Sequence, residues 1–424
     1  MNNSTPLPPA PLYGLDLGRL RERLSALGGP RPETATPAPR KDAALHTVLG
    51  GAERGECVVV QREYAASHCH GPLPLQRLWQ RSGRAFATLG KDPALADFDF
   101  RRTLFIDTET NGLAGGAGTY AFLVGIAFWE GDRFVVEQFF MRHPSTERAL
   151  LEQLAPSLDR FDSFVSFNGK SFDLSVLETR FILNRQPRAL KGRLHLDLLH
   201  PARRLWSMRL NSCRLGILEQ RILGLARSEQ DVPGYEIPLI YNDFLRTGRV
   251  EALKRILYHN HQDLLALAAL AAHMLDCVDA PDDRIGPFGQ DLFSLGRLHD
   301  DEGERDAAER LYRQALRAPL AAPHRREVVR RLARLLKRAA RWEEAVPLWR
   351  TLVREGQFDG YEELAKYYEH QVREIATALK VVDTALARLP LSAEQRDALN
   401  YRRSRLVLKA ARHGEPCEAN EATQ

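Results

Sequence analysis

The stretch TLFIDTETNGL, residues 103–113, is the part of the sequence that predicts both a fold and a site. An apolar run, residues 104–106, leads into two carboxylates one residue apart, Asp107 and Glu109, and a glycine-rich turn follows. Because residues i and i+2 of a strand point to the same face, these carboxylates are expected to project together from a strand end. There they are either two solvated acids or a pair that holds a cation.

The composition is that of a globular protein. With 424 residues, 44% hydrophobic and 27% charged, the chain is long enough for two or three domains. No apolar run approaches the ~20 residues of a membrane span, and the N-terminus lacks a secretory pattern. We therefore expect a cytoplasmic protein without a membrane partner. The five cysteines include no Cys-x-x-Cys pair, although His68-Cys69-His70, with Cys57 upstream, is a weak cue for zinc.

The periodicity from residue 103 onwards predicts an α/β domain. We expect strands at 104–107, 120–129, 133–140, 163–167 and 194–198, and helices at 146–158, 173–183 and 250–275. A hairpin followed by alternating helices and strands indicates a mixed sheet flanked by helices. Weaker patterns predict a helix at 15–27, a strand at 57–61 and a helix at 75–89.

The C-terminal part is all-helical and contains an internal repeat. Ala308, Ala345 and Ala378 recur at intervals close to the ~34 residues of tetratricopeptide-like hairpins, and about three repeats are visible. Residues 305–354 carry 14 Lys/Arg against 5 Asp/Glu. This excess of positive charge indicates either a polyanionic partner or a solvated helical face.

The predicted domains follow from these patterns: a flexible Pro-rich N-terminus, 1–40; an extension that packs on the α/β domain, 41–100; the α/β domain itself, 101–280; helical repeats, 285–395; and a disordered tail, 413–424.

Two further carboxylates lie in contexts that fit the same site. Asp173 follows an apolar strand and begins a helix, where it and Ser171 also suit an N-cap. Asp263 and His259 are at i+4 spacing on an apolar helix, which is typical of a surface pair or of a cleft lining. Four carboxylates without cysteine suit Mg²⁺ or Mn²⁺, and a nearby His suits a general base.

In combination, these motifs resemble the three exonuclease motifs of the DnaQ-like superfamily, which has a ribonuclease H-like fold. The resemblance is closest to the YprB-like branch, and it rests on DTETNGLAGGAGT (107–119), NGKSFD (168–173), DLLHPARRLW (197–206) and HNHQD (259–263). Tetratricopeptide-like repeats after the catalytic domain also fit that branch.

The resemblance implies the roles of the acidic residues. It assigns two Mg²⁺ or Mn²⁺ ions to Asp107, Glu109, Asp173 and Asp263, and the general base to His259. The superfamily's histidine branch places its His five residues before the last Asp, where this chain has Tyr258. Tyr258 is therefore the alternative base.

Residues that contact the substrate are expected beside these acids. The resemblance implies Thr108, Leu113 and Asn168, and Lys170 is a candidate phosphate ligand because it lies between two motif residues. Asp197 is either part of the site or a cap of the following helix. Arg203 and Arg204 are either phosphate ligands or surface residues.

The hypothesis is a metal-dependent 3′→5′ exonuclease that cleaves single-stranded DNA or RNA from its 3′ end by a two-metal mechanism. The repeats are then a docking arm for a protein partner or for the substrate. One alternative is a structure-specific endonuclease or RNase on the same fold. Another is a non-catalytic nucleic-acid-binding scaffold that docks partners through its repeats.

Overall fold

The computed structural model describes residues 45–80, 83–112, 118–279 and 286–413. Within these residues, seven strands form one mixed sheet in the order β1-β2-β5-β4-β3-β6-β7. Strands β1 to β5 pair in antiparallel fashion, and β3, β6 and β7 are parallel. The strands are β1 (Ala52–Arg54), β2 (Cys57–Ala65), β3 (Thr103–Thr110), β4 (Ala121–Glu130), β5 (Arg133–Met141), β6 (Ser163–Ser166) and β7 (Leu194–Asp197).

Eight α-helices lie in the described residues up to Asp279, the part of the chain that contains the sheet. They are α1 (Leu45–Leu49), α2 (Gly83–Gly90), α3 (Glu147–Arg160), α4 (Asp173–Leu183), α5 (Leu199–Trp206), α6 (Leu215–Arg221), α7 (Ile237–Thr247) and α8 (Leu253–Asp279). The prediction of a mixed α/β domain is confirmed. The single helix predicted over 75–89 is wrong, because a 3-10 helix, Leu75–Gln80, precedes α2. A side chain at Gly83 would collide with the backbone of Ala96, so α2 starts at a point of close approach.

The segment before residue 101 is part of the sheet. Strand β2 is longer than predicted and pairs with β5 along its whole length, from Cys57 opposite Met141 to Ala65 opposite Arg133. The sequence predicts an extension that packs on the domain, and the structure places two strands of this segment, β1 and β2, in the sheet. The helix predicted at 15–27 lies outside the described residues.

Alternate residues of β3 face opposite sides of the sheet. Leu104 and Ile106 are buried in one core cluster, and Phe105 is buried in the other with the C-terminal half of α8. Asp107 and Glu109 continue the face of Phe105, at the end of the strand where these apolar residues give way to polar ones. The sheet therefore directs both carboxylates towards α8.

The C-terminal part consists of helices that pack in consecutive pairs. They are α9 (Gly289–Asp301), α10 (Arg305–Arg317), α11 (Ala322–Arg338), α12 (Trp342–Arg354), α13 (Phe358–Tyr367), α14 (Ile375–Arg388) and α15 (Ala393–His413). Ala308, Ala345 and Ala378 are fully buried, as expected for the small residues of helical repeats. Helix α15 extends beyond the predicted end of the repeats at 395, and the predicted tail after His413 lies outside the described residues.

The repeats share a core with the sheet domain. One hydrophobic cluster runs from Phe105 through α8 to Leu295, Trp349 and Leu364. At the junction, Arg209 Nη2 lies 2.7 Å from Oδ2 of the buried Asp291 on α9. None of the helices in the described part of the chain combines the length and apolar composition that crossing a membrane requires.

Many arginines of the basic stretch 305–354 have acidic partners on neighbouring helices. Arg330 Nε lies 2.5 Å from Asp359 Oδ2, and Arg334 Nη2 lies 2.8 Å from Asp300 Oδ2. Arg313 Nη2 lies 2.6 Å from Glu344 Oε2. A large share of this positive charge is therefore paired between helices.

Candidate metal centre

Asp107 is held in place by a polar group beneath it. On the sheet it pairs in register with Gly125 of β4, which in turn pairs with Gln138 of β5. The side chain of Asn260, from α8, lies over Gly125 and is fully buried. Its Nδ2 donates to Asp107 Oδ2 at 2.8 Å, and its Oδ1 accepts from Gln138 Nε2 at 2.8 Å.

This arrangement needs a glycine on the central strand. A Cβ at position 125 would collide with the amide of Asn260. The register of β3 and β4 then shifts between Glu109 and Thr110, which is a β-bulge next to the site. The bulge and Gly125 together let the helix approach the end of β3.

Asp173 reaches the same strand from the other side of the site. It is the first residue of α4, and its Oδ1 accepts hydrogen bonds from the N–H of Thr108, at 3.1 Å, and from the Thr108 hydroxyl. The carboxylate therefore bonds to β3 instead of capping its own helix. Thr108, predicted to contact the substrate, is buried and directs its hydroxyl to Asp173.

Asp263 and His259 lie one turn apart on α8 and face Glu109. One ligand atom from each of Glu109, His259 and Asp263 can be chosen so that all three lie within 4.8 Å of one another. His259 Nε2 is 3.3 Å from Asp263 Oδ2, and His259 Nδ1 is 2.8 Å from Asp231 Oδ1. Asp231 thus fixes the ring so that its other nitrogen faces the carboxylates.

A guanidinium also enters the site. Arg227 Nη2 bonds to Asp263 Oδ1, and Arg227 Nε donates to Glu219 Oε2 at 2.6 Å. Arg227 Nη1 lies 3.5 Å from Asp231 Oδ2. Glu219 is 1% exposed, so this pair is buried and anchors the arginine beside the acids.

Burial and neighbouring charges raise the pKa values of Asp107 and Glu109. Burial, followed by the charges of Asp263 and Asp173, raises the pKa of Asp107 well above its ordinary value. Burial, followed by the charges of Asp107, Asp263 and Asp173, does the same to the pKa of Glu109. Burial also raises the pKa of Asp173 to about 6. The charges of Asp173 and Asp263 therefore act on both carboxylates of β3.

The pKa of His259 is raised by its acidic neighbours. Burial lowers this pKa, but the charge of Asp263 and the hydrogen bond to Asp231 outweigh burial. The net effect favours the protonated ring when no cation shares the site. The alternative base, Tyr258, lies on the same turn, and its hydroxyl accepts from Ser228 Oγ at 3.0 Å.

The donor set fits divalent cations. Every carboxylate oxygen is a hard ligand, the group contains one imidazole and no thiolate, and the mutual repulsion among the acids is relieved by positive charge. Within the described ranges, the ligand atoms of Glu109, His259 and Asp263 lie close enough together to hold one cation, and those of His68, Cys69 and His70 do not. Cys57 Sγ instead donates to Phe140 O at 3.5 Å.

Asp197 organises the loop that precedes α4. Its carboxylate accepts from the N–H groups of Asn168, at 2.7 Å, and Lys170, at 3.1 Å, and also from Leu199 N–H at the start of α5. Asn168 has a left-handed backbone, φ +69°, and its side chain is exposed, as is that of Lys170. Both predicted substrate residues therefore lie on the surface of a loop whose backbone is hydrogen-bonded to Asp197.

The other predicted residues have different positions. Arg204 Nη1 donates to Leu89 O and so joins α5 to α2, while Arg203 is exposed. Leu113 lies outside the described residues.

Sequence reasoning missed Asn260, Arg227, Asp231 and Glu219. A signal existed for Asn260, because it is a polar residue one turn before Asp263 on the apolar face of α8. Arg227 and Asp231 lie in a loop, where no periodicity marks them, and only the fold brings them to His259.

Comparison with known proteins places this arrangement in a family. Residues 104–275 match the RNase_H superfamily, and residues 289–404 match the tetratricopeptide repeat. The chain is also 34% identical over 370 residues to the uncharacterized protein YprB of Bacillus subtilis (strain 168), with 83% of this chain and 86% of YprB covered. The chain belongs to the YprB-like family of the ribonuclease H superfamily. This membership supports a nuclease fold, nucleic-acid binding and protein interaction through the repeats.

Among solved structures, the YprB-like chain is similar to the family B DNA polymerase from Pyrobaculum calidifontis. The match is 15% identical with a TM-score of 0.31, and it covers 68% of this chain and 39% of the polymerase.

Proposed function

We propose that this YprB-like protein is a metal-dependent 3′→5′ exonuclease that hydrolyses phosphodiester bonds of single-stranded DNA or RNA. The observation that carries the proposal is the convergence of four carboxylates. Glu109 and Asp263 lie beside His259, and the charges of Asp173 and Asp263 act on Asp107 and Glu109. The superfamily match supports a nuclease in general. The polarity of cleavage and the use of two ions are inferred from the exonuclease motifs.

The four carboxylates would hold the cations, Mg²⁺ or Mn²⁺. When bound, two such cations supply charge stabilisation to the attacking and leaving oxygens of a phosphodiester. Asn260 keeps Asp107 Oδ2 oriented, and Thr108 keeps Asp173 Oδ1 oriented. These bonds hold the ligands in place before the substrate arrives.

His259 would take the proton from the attacking water. Its Nδ1 faces Asp231, which leaves Nε2 on the side of Asp263 and Glu109. Proton transfer by a positioned side chain contributes about 10²- to 10⁴-fold. We therefore expect His259→Gln to lower kcat by about that factor and Tyr258→Phe to leave kcat nearly unchanged. The opposite ranking in single-turnover cleavage would assign the base to Tyr258.

The experiment that tests the function uses 5′-labelled single-stranded DNA and RNA with Mg²⁺, Mn²⁺ or EDTA. Wild type is compared with Asp107→Asn, which removes one charge, and with Asp159→Asn, a matched change of a half-exposed carboxylate on α3. We expect a metal-dependent ladder from the 3′ end in wild type and Asp159→Asn, and none in Asp107→Asn. Discrete internal cuts would indicate an endonuclease. Absence of cleavage with every metal, with binding intact, would indicate the scaffold.

A further inference from the structure

A second concave site lies in the helical repeats, apart from the metal centre. It is a cavity of about 270 Å³ that is lined by residues of α11, α12, α13 and α15 and of the turn after α13. That turn, Tyr368–Val372, is π-helical, a rare conformation that is frequent at functional sites. None of the carboxylates of the metal centre lines this cavity.

The lining combines positive charge with aromatic rings. Lys337, Lys366, Arg402 and Arg405 contribute four cations. Glu363, an acid that also lines the cavity, forms ion pairs with both lysines, so the cations outnumber the acid four to one. Trp342 and Tyr367 are partly exposed, and their ring centroids lie 5.9 Å apart. We call this set of residues the repeat pocket. Its charge favours an anion, and its rings offer a surface for stacking.

The two arginines of the repeat pocket form ion pairs with one buried carboxylate. Glu369, in the π-helical turn, is 3% exposed and lies 2.6 Å from Arg402 Nη1 and 2.7 Å from Arg405 Nη2. Lys409 Nζ also lies 2.6 Å from this carboxylate, so three cations share one buried charge. In the described chain, the buried Nε of Arg405 has no hydrogen-bond partner. The cluster therefore retains positive charge and an unused donor.

We propose that the repeat pocket binds one nucleotide of a single-stranded nucleic acid, with a phosphate on Arg402 and Lys337 and a base against Trp342 and Tyr367. A nucleotide presents an anion and a π-face side by side, as this lining requires. An acidic peptide supplies the anion but needs no aromatic wall. The choice of nucleic acid rests on the proposed function, because the same chain would cleave the strand that it holds here.

The test measures binding of fluorescent single-stranded DNA and RNA by anisotropy, with EDTA present, in full-length protein carrying Asp107→Asn. The variants are Arg402→Gln, Lys337→Gln, Trp342→Leu and Trp342→Phe. The matched control is Arg338→Gln, an exposed cation next to Lys337 that does not line the pocket. Unfolding midpoints are recorded for every variant. Lys337→Gln should disturb the fold least among the pocket variants, because the side chain of Lys337 is 39% exposed.

We expect each cation variant to reduce the slope of log K against log salt by about 0.7, the value for one phosphate on a single strand. Trp342→Leu should weaken binding by about fivefold to hundredfold, and Trp342→Phe should retain it, because base stacking needs an aromatic face. Arg338→Gln should match wild type. Wild-type affinity and slope in folded Lys337→Gln and Trp342→Leu would overturn the proposal.

Two further assays, with an acidic peptide and of cleavage, distinguish failure of the pocket inference from failure of the nuclease proposal. An acidic peptide that binds wild type and loses binding in these variants, while the strand binds them normally, would assign the pocket to a protein and overturn the proposal. Cleavage is measured separately, in variants that retain Asp107. If pocket variants bind the strand as tightly as wild type but cleave it, only the pocket inference fails. If no protein cleaves and pocket-dependent binding remains, the nuclease proposal fails alone.

Discussion

Replacement of Asn260 by alanine tests whether the buried amide of Asn260 orients the Asp107 carboxylate in the metal centre. The amide of Asn260 is fully buried and joins Asp107 to Gln138. Alanine removes the donor to Asp107 Oδ2 and the acceptor for Gln138 Nε2, and it leaves a small cavity above Gly125. Gln138 keeps its second acceptor, Leu257 O at 2.8 Å, so its side chain remains partly satisfied.

The magnitude follows from the two lost hydrogen bonds. A bond to a charged group contributes about 1.5–3 kcal/mol and a neutral one about 1 kcal/mol, so Asn260→Ala should lower the free energy of unfolding by about 2.5–4 kcal/mol. Loss of a residue that orients a metal ligand typically lowers metal affinity or activity about 10- to 100-fold. Asn260→Ala should therefore weaken Mn²⁺ binding and cleavage together.

The assay combines urea unfolding in EDTA, Mn²⁺ titration by calorimetry and cleavage of a labelled strand. Gln262→Ala, on the same helix and half-buried, is the matched control and should change each quantity little. A double-mutant cycle with Gln138→Leu should show coupling, since the two amides share a hydrogen bond. Unchanged Mn²⁺ affinity and cleavage in Asn260→Ala would refute the idea that this amide orients Asp107.

Three other changes test different contacts. Gly125→Ala should lower the free energy of unfolding by about 1–3 kcal/mol and reduce Mn²⁺ affinity, because the added Cβ displaces Asn260. Gly234→Ala is the control, since open space surrounds its Cβ, and it should change neither quantity. Equal urea midpoints for the two variants would contradict this. Arg227→Gln should lower the free energy of unfolding in EDTA by about 3–5 kcal/mol, since it removes the guanidinium that pairs with the buried Glu219. Saturating Mn²⁺ should restore part of this loss in thermal unfolding. Burial lowers the pKa of His195 to about 4, so between pH 6.5 and 4 the unfolded chain binds a proton that the folded chain does not. Stability should fall by about 3 kcal/mol as pH drops through that window, and His195→Gln should flatten this part of the pH profile of urea midpoints.

The fold was predictable where periodicity is strong. Strand β4 is predicted at 120–129 and found at Ala121–Glu130, because its run of apolar residues is buried on both faces. Strand β2 is predicted too short, since the consecutive residues Gln61, Arg62 and Glu63 in its second half are polar and exposed, although they still pair with β5. The break between the 3-10 helix and α2 depends on the approach of Ala96 to Gly83, which is a tertiary contact that no local pattern encodes.

The site was predictable where spacing alone brings residues together. Asp107 and Glu109 share a strand face, and His259 and Asp263 share a helix face, so their proximity within each pair follows from sequence. The meeting of the two pairs depends on how α8 crosses the sheet. Arg227 comes from a loop whose path is set by the buried Glu219, so its entry into the site required the structure.

The charge of the centre links its chemistry to its stability. The raised pKa values of Asp107 and Glu109 mean that folding brings together acids that resist ionisation. Arg227 offsets part of this repulsion. One guanidinium cannot neutralise four carboxylates, however, because it also contacts two further acids, Asp231 and Glu219. Divalent cations need the ionised acids, so their binding must release protons, and apparent affinity should rise with pH. We therefore expect the ions that the proposed reaction requires also to stabilise this fold.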